Sequence, residues 1–233
     1  MLRVEAIDTS YGASQVLFGM SLHVDAGEAV TLMGRNGMGK TTTIRSIMGL
    51  VPTHGGSIHF DGMQISGLAA YRVARAGIGL VPEGRQIFPN LTVRENLIAT
   101  AHNDADVAQP WSLDRVLEQF PSLAARIDGM GNELSGGEQQ MLAIGRALMT
   151  NPKLLILDEA TEGLAPQIRA EIWQCLADLK NQGQSILVID KNVAALTRFA
   201  DRHFIMEKGQ VVWSGSSEEL AAQPDVQHKY LGV

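Results

Sequence analysis

One segment of the sequence has the residue types and spacing of a phosphate-binding loop. The pattern G-x-x-x-x-G-K-[ST] is matched by Gly34-Arg35-Asn36-Gly37-Met38-Gly39-Lys40-Thr41, and Thr42 follows it. Glycines let backbone N–H groups turn towards a phosphate, and a following helix adds its positive N-terminal end. Lys40 supplies an ammonium group for the β- and γ-phosphates, and Thr41 supplies a hydroxyl for Mg²⁺. A simple glycine turn before a helix is the alternative interpretation, whereas Asn36 excludes the dinucleotide pattern G-x-G-x-x-G.

A second segment places two carboxylates at the end of an apolar run. Leu154-Leu155-Ile156-Leu157 is followed by Asp158 and Glu159. In enzymes with such a loop, an aspartate at this position suits Mg²⁺, and the neighbouring glutamate can polarise a water for attack on the γ-phosphate. Strands often end in acidic turns, so the pair gains its functional meaning from the loop upstream.

A third segment predicts a helix N-terminus that could bind an anion. It reads Leu134-Ser135-Gly136-Gly137-Glu138-Gln139-Gln140 and precedes an apolar helical run. Ser135 and Glu138 have the spacing of a capping box, which by itself only begins a helix. The two glycines are not needed for a cap. They could expose backbone N–H groups to a second anion.

The first two of these segments lie at the ends of predicted strands of an α/β protein with a largely parallel sheet. Such sheets bind ligands at the carboxyl ends of their strands. Alternating segments near the N-terminus, residues 1–27 and 57–62, predict an antiparallel β layer, and residues 204–215 predict two strands around a Lys208-Gly209 turn. A more polar helical stretch is broken at Pro89, Pro110 and Pro121. The buried strands are predicted over Glu28–Met33, Ile78–Pro82, Leu154–Asp158 and Ile186–Asp190.

Composition and charge narrow the classes of function. The chain has 233 residues, with 25 Asp and Glu against 19 Lys and Arg, so no bulk attraction to nucleic acid is expected. No apolar run approaches the ~18 residues of a membrane helix, and no signal segment is visible at the N-terminus. With the single cysteine, Cys175, in a helix-like run and expected to be a buried inert thiol, these features favour a cytoplasmic protein. Scattered histidines argue against a transition-metal site.

The order G-R-N-G-M-G-K-T-T, L-S-G-G-E-Q-Q and L-L-I-L-D-E resembles the ATP-binding cassette (ABC) ATPase family over essentially the whole chain. More narrowly, VPEGRQIFPNLTVREN, LAIGRALMTNPKLLILDE, EGLAP and KYLGV resemble the LivF-type ATPases of branched-chain amino acid importers. The resemblance implies a P-loop NTPase core with an antiparallel β subdomain, in one domain over 1–233, and a helical subdomain inserted at about 84–150.

The resemblance also implies a role for each matching residue. Lys40 and the rest of 34–42 hold ATP, Tyr11 stacks on adenine, and Ser135, Gly136, Gly137 and Glu138 face ATP on a second cassette paired head to tail. Thr41, Glu83 and Asp158 organise Mg²⁺, while Glu159 is the catalytic base. For Tyr11, an ordinary strand tyrosine is the alternative interpretation.

Several positions depart from the general family pattern. Glu83 stands at the glutamine-loop position, as it does in LivF-like cassettes, and alanines stand at 160 and 165. The switch histidine is replaced by Lys191, where LivF-like chains commonly carry glutamine. Lys191 is either a catalytic residue that neutralises the γ-phosphate or a solvated loop lysine. The substitution predicts a site that binds ATP but hydrolyses it slowly.

The implied function is an ATPase subunit, peripheral on the inner face of the cell membrane, that drives uptake of branched-chain amino acids. Its implied partners are integral-membrane permease subunits, a LivG-like second cassette or a second copy, and indirectly an extracytoplasmic solute-binding protein. A cassette for urea, short amides or another solute is one alternative. Another is an ABC ATPase that acts on DNA or the ribosome, although such proteins usually carry two cassettes, a coiled-coil insert or basic arms.

Overall fold

Two β-sheets, of six and four strands, form the framework of the residues that the computed structural model describes, 1–103 and 109–232. All four predicted buried runs are strands, with bounds that differ by no more than one residue. Along the chain the strands are β1 (Leu2–Tyr11), β2 (Ser14–Val24), β3 (Ala29–Met33), β4 (Thr53–Phe60), β5 (Met63–Gln64), β6 (Ile78–Val81), β7 (Leu154–Asp158), β8 (Ser185–Ile189), β9 (Arg202–Glu207) and β10 (Gln210–Gly215).

The six-stranded sheet has the order β10-β9-β3-β8-β7-β6. Its strands pair in parallel except at the edge, where β10 pairs antiparallel with β9 around the predicted turn. Every residue of β3, β7 and β8 is buried, as expected of strands covered on both faces. Because parallel strands end at one edge, the segments that follow β3, β6, β7 and β8 meet there. The predicted α/β architecture is confirmed.

The four-stranded sheet has the order β2-β1-β4-β5 and is antiparallel throughout. It confirms the antiparallel layer that the alternating N-terminal segments predicted. Apolar side chains of β1, β2 and β4 belong to one buried cluster with side chains of the six-stranded sheet. The layer therefore covers one face of the central sheet.

The helices connect the strands and pack on both faces of the central sheet. The predicted helical stretch, 84–150, holds four of them, and its residues 104–108 lie outside the described residues. Pro89 and Pro110 lie in non-helical segments, whereas Pro121 is the first residue of a helix. The helices are α1 (Lys40–Ile47), α2 (Ala70–Arg75), α3 (Val93–Ile98), α4 (Leu113–Gln119), α5 (Pro121–Ala124), α6 (Gly136–Leu148), α7 (Pro166–Asn181), α8 (Val193–Phe199), α9 (Ser217–Ala221) and α10 (Pro224–Val226), with a 3₁₀ turn at Gly131–Glu133 and a π-helical turn at Gln227–Leu231.

Neighbouring residues of the central strands alternate between two hydrophobic clusters. In β7, Leu155 and Leu157 pack with side chains of α6 and α7, whereas Leu154 and Ile156 pack with α1 and the four-stranded sheet. A register slip of one residue would exchange these faces and disrupt both clusters. Among the described helices, none is both long and apolar enough to cross a membrane.

Two buried titratable side chains are neutral at pH 7. Burial raises the pKa of the Cys175 thiol to about 12, which confirms the expected inert cysteine. Burial lowers the pKa of His203 on β9 to about 4. The His203 ring nitrogens lie 2.7 Å from Thr31 Oγ1 and 2.8 Å from Ser217 Oγ, so the neutral ring links β3, β9 and the start of α9.

The low pKa of His203 predicts a loss of stability in acid. The unfolded chain binds a proton near the ordinary pKa of 6.5 and the folded chain only near 4, so the stabilisation is present above 6.5 and lost as pH falls towards 4. Glutamine does not titrate. Between pH 7 and pH 5 we therefore expect the unfolding free energy of wild type to fall by about 2 kcal/mol more than that of His203→Gln. Urea unfolding at both pH values measures this, with His54→Gln on an exposed position as the control. An equal decrease in wild type and His203→Gln would contradict it.

Candidate functional site

The predicted phosphate-binding loop joins the end of β3 to the start of α1. Gly34, Gly37 and Gly39 all have positive φ angles, of 137°, 77° and 103°. At Gly34 a β-carbon would lie 2.5 Å from the carbonyl oxygen of Met206, so a side chain has no room there. The positive φ angles favour glycine at all three positions, and close packing adds a second reason at Gly34.

The hairpin of β9 and β10 supports this loop. The Gly209 N–H donates to the Met38 carbonyl over 3.0 Å, and the Lys208 N–H lies 3.3 Å from Met38 Sδ. The Gly209 carbonyl in turn accepts from the Phe18 N–H of β2 over 3.1 Å. These bonds connect the loop to both sheets.

Lys40 is buried, and its ammonium group lies over the loop. It donates to the carbonyls of Gly34 and Arg35 at 2.8 and 3.0 Å. Burial lowers the pKa of Lys40, and the nearby carboxylates of Glu159 and Asp158 oppose that shift. The sheet edge thus holds a buried cation beside loop carbonyls and two acids, and this cation is available to a phosphate chain.

Hard oxygen donors lie beside Lys40. Asp158, the last residue of β7, is 3% exposed, and its Oδ1 lies 3.4 Å from Thr41 Oγ1. Burial raises the pKa of Asp158, the Thr41 contact lowers it, and the charge of Glu83 raises it further. Carboxylate and hydroxyl oxygens are the ligands that Mg²⁺ prefers, so these residues fit that ion chemically.

Lys191 follows β8 and contacts two carboxylates. Its Nζ lies 3.1 Å from Glu159 Oε2 and also forms an ion pair with Glu162 Oε1. The Glu159 N–H donates to the Ile189 carbonyl over 2.9 Å, with Glu159 at a positive φ of 52°. The Lys191 side chain is half-exposed, and its ion pairs hold it beside the predicted base.

The pKa shifts in this group follow from burial and from the contacts. Burial raises the pKa of Glu159, and its hydrogen bond with Glu162 raises it further, whereas Lys191 lowers it. The Glu162 and Glu159 hydrogen bonds raise the pKa of Lys191, Glu162 being the larger cause. Lys191 is therefore positively charged at neutral pH.

A cavity of about 400 Å³ is lined by half of the predicted site residues, and Asp158 is not among them. Larger cavities of about 730 and 800 Å³ lie elsewhere and contain none of them. Gly34, Arg35 and Met38 do not line the 400 Å³ cavity, nor does Tyr11, which is 42% exposed at the end of β1. Lining it are Val16, Asn36, Gly37, Gly39, Lys40, Thr41, Thr42, Glu83, Glu159, Glu162 and Lys191.

The third predicted segment begins α6 but does not line this cavity. Ser135 and Glu138 form the predicted capping box, which is confirmed. A β-carbon at Gly136 would lie 2.8 Å from the Arg85 guanidinium, and one at Gly137 would lie 2.7 Å from the Ile168 side chain. Packing against Ile168 therefore gives Gly137 a reason that the sequence did not reveal, whereas the Arg85 side chain beside Gly136 is flexible enough to shift.

Sequence reasoning assigned no role to Glu162 or Arg85. Glu162 follows Glu159 by three residues, and its N–H lies 3.2 Å from the Glu159 carbonyl, so that spacing in a turn was the available signal. Arg85 Nη1 donates to Gln139 Oε1 over 3.2 Å and reaches the start of α6 from the segment that follows β6. No local pattern indicates that long-range contact.

Comparison with known proteins gives one consistent family. The family model described as ABC transporter matches residues 17–162. The chain is 41% identical, over all of both chains, to the high-affinity branched-chain amino acid transport ATP-binding protein BraG of Pseudomonas aeruginosa. It is 36% identical to the lipopolysaccharide export system ATP-binding protein LptB of Haemophilus influenzae, covering 100% of this chain and 97% of LptB.

The solved structures agree with this result. A nucleotide-free ATP-binding cassette from an ABC transporter superposes with a TM-score of 0.84 at 28% identity, covering 96% of this chain and 94% of that one. The predicted fold, a P-loop NTPase core with an antiparallel sheet and helical parts, is confirmed by this match.

The contacts of Lys40 predict that its removal weakens ATP binding. The Lys40→Ala variant leaves the phosphate charge uncompensated beside the loop, and we expect an affinity loss of about 10- to 100-fold, the range for a charge-assisted hydrogen bond. Titration calorimetry with ATP measures it. Lys153→Ala is the matched control, because Lys153 pairs with Asp61 on the surface at 3.0 Å. If Lys40→Ala bound ATP with undiminished affinity, the loop would not be the phosphate-binding part of the nucleotide site.

Proposed function

The chain belongs to the ABC transporter family of ATP-binding proteins, and from this premise we propose that it energises the import of branched-chain amino acids. The chain is an ATPase, as members of this family are. The 41% identity with BraG over the whole of both chains carries the choice of solute. The segments EGLAP and KYLGV support the same choice.

Lipopolysaccharide export is the second candidate, because LptB is 36% identical over nearly its whole length. Import of urea, short amides or another solute uses the same nucleotide chemistry, as does an ABC ATPase that acts outside transport. The nucleotide cavity cannot separate these candidates, since none of its residues would contact the solute. The partner proteins therefore decide the question.

In the proposed reaction the loop residues and Lys40 hold the β- and γ-phosphates of ATP. Thr41, Asp158 and Glu83 would hold Mg²⁺, which offsets phosphate charge when bound. Glu159 orients a water whose oxygen bonds to the γ-phosphorus as the bond to the β,γ-bridging oxygen breaks, and Glu159 accepts the proton of that water. Lys191 neutralises negative charge beside the γ-phosphate, but an ammonium cannot hold the attacking water and its base in the planar geometry of an imidazole, so hydrolysis is slow.

A second cassette completes the proposed site. ABC cassettes dimerise and work with membrane permease subunits. We expect Ser135, Gly136, Gly137 and Glu138 of one cassette to face ATP on the other, because they lie outside the cavity of their own chain. Tyr11 stacks on adenine in this arrangement. The second cassette is a LivG-like protein or a second copy, and a solute-binding protein delivers the amino acid to the permease.

The helical part of the chain is the proposed contact with the permease at the inner face of the cell membrane. It occupies about residues 84–150 of a single domain that spans the chain. Phe88 and Ile98 in this part are 40% and 49% exposed, and Tyr71 nearby in sequence is 60% exposed. Exposed apolar side chains of this size can pack against a partner protein, which is the contact proposed here.

Replacing the proposed base predicts binding without turnover. We expect Glu159→Gln to retain ATP affinity, to slow single-turnover hydrolysis by about 10²- to 10⁴-fold, and to increase the ATP-bound dimer. Quenched-flow assays measure the rate of hydrolysis, and light scattering measures the ATP-bound dimer. Glu118→Gln, an exposed position on α4, is the matched control. Hydrolysis at the wild-type rate would show that Glu159 is an acidic residue at the end of β7 and not the catalytic base.

The solute is tested in the assembled transporter. The chain is produced with the permease and binding proteins encoded beside it, and the complex is reconstituted in liposomes. We expect leucine with its binding protein to stimulate ATP hydrolysis severalfold, and urea or lipopolysaccharide to have no effect. Stimulation by urea or lipopolysaccharide instead would replace the proposed solute. Failure of the chain to co-purify with any permease would point to a role outside transport.

A further inference from the structure

Glu162 adds a third carboxylate to the nucleotide cavity. Oxygens of Glu83, Glu159 and Glu162 all lie within 4.8 Å of one another, and the Lys191 ammonium pairs with two of these groups. The contact of Lys191 with Glu162 is closer than its 3.1 Å contact with Glu159. Glu162 is thus the principal partner of a cation that also touches the proposed base.

Neighbouring hydrogen bonds fix this arrangement. The Thr161 hydroxyl donates to Asp190 Oδ2 over 2.5 Å, which joins the residue before Glu162 to the residue before Lys191. Thr161 and Asp190 are 3% and 9% exposed. Asp190 Oδ1 also accepts from the Asn192 N–H over 2.9 Å. The two loops are therefore tied together by a buried bond, and Glu162 and Lys191 face each other as a consequence.

Glu162 changes how the charge of the Lys191 ammonium is shared among the carboxylates. If Glu159 were the sole partner of Lys191, the ammonium would neutralise it and occupy the oxygen that must receive a proton from water. A second carboxylate shares the ammonium and lessens that competition. We propose that Glu162 is a positioning residue for ATP hydrolysis, which shares the Lys191 ammonium with Glu159 and so weakens the pairing that competes with the proton of the attacking water.

A double-mutant cycle tests this role in hydrolysis. With Lys191 present, we expect Glu162→Gln to lower kcat about tenfold, the low end of the range for a hydrogen bond to a charged group, with little change in KM for ATP. In the Lys191→Gln background, the same change at Glu162 should alter kcat less than twofold. Glu171→Gln, an exposed position on α7, controls for the loss of one acidic side chain. Equal effects in both backgrounds, or no effect in either, would overturn the proposal.

A second measurement needs neither nucleotide nor Mg²⁺. Acetic anhydride labels amines that are free of ion pairs fastest, and mass spectrometry follows each lysine in the full chain with EDTA present. We expect Glu162→Gln to raise the labelling rate of Lys191 severalfold relative to Lys153, and Glu171→Gln to leave it unchanged. An unchanged rate in Glu162→Gln would show that Glu162 does not hold Lys191. The proposal requires ATPase chemistry but not a particular solute, so both measurements can fail while the proposed import of amino acids stands.

Discussion

Parallel pairing in the central sheet is the constraint on which the nucleotide cavity depends. Asp158 of β7 pairs in register with Ile189 of β8, and the Glu159 N–H extends that ladder to the Ile189 carbonyl at 2.9 Å. This brings Glu159 and Lys191 to one edge, beside the loop that leaves β3. Alternate residues of these strands pack into two separate clusters, so a shift in register would disrupt the core as well as the cavity. The energy of burial thereby fixes the positions of the charged groups.

The cavity concentrates charge that burial alone would disfavour. Lys40 and Asp158 are 6% and 3% exposed, and burial shifts the pKa of each towards its neutral form. Contacts offset this cost, because Lys40 bonds to loop carbonyls and Asp158 contacts Thr41. Phosphates and a divalent cation would complete the compensation, since each brings the charge that the buried partner requires.

Many elements of the fold and of the site were predictable because short stretches of sequence determine them. The loop, the apolar run before Asp158, the Ser135 capping box and the Lys208-Gly209 turn each depend on residues close together in the chain. The contacts of Gly136 and Gly137 with Arg85 and Ile168 depend on how α6 packs, and no local pattern encodes them. The ion pairs of Lys191 likewise join two loops that only the sheet order brings together. Elements that local motifs imply were therefore foreseeable, whereas the partners of each side chain were not.

The segment after β6 joins the nucleotide cavity to the helical part of the chain. Glu83 lines the cavity, Arg85 contacts Gln139 of α6, and the Gln86 carbonyl accepts from Arg146 Nη2 over 2.6 Å. The Arg146 guanidinium also lies 4.6 Å from the ring centre of Phe88, which is 40% exposed. Arg85 and Gln86 have positive φ angles of 67° and 47°, a conformation that non-glycine residues adopt at a cost and only where their surroundings hold them. Glu83 at one end of the segment thus lines the cavity, while Arg85, Gln86 and Phe88 contact side chains of α6, so direct contacts hold the segment between the two.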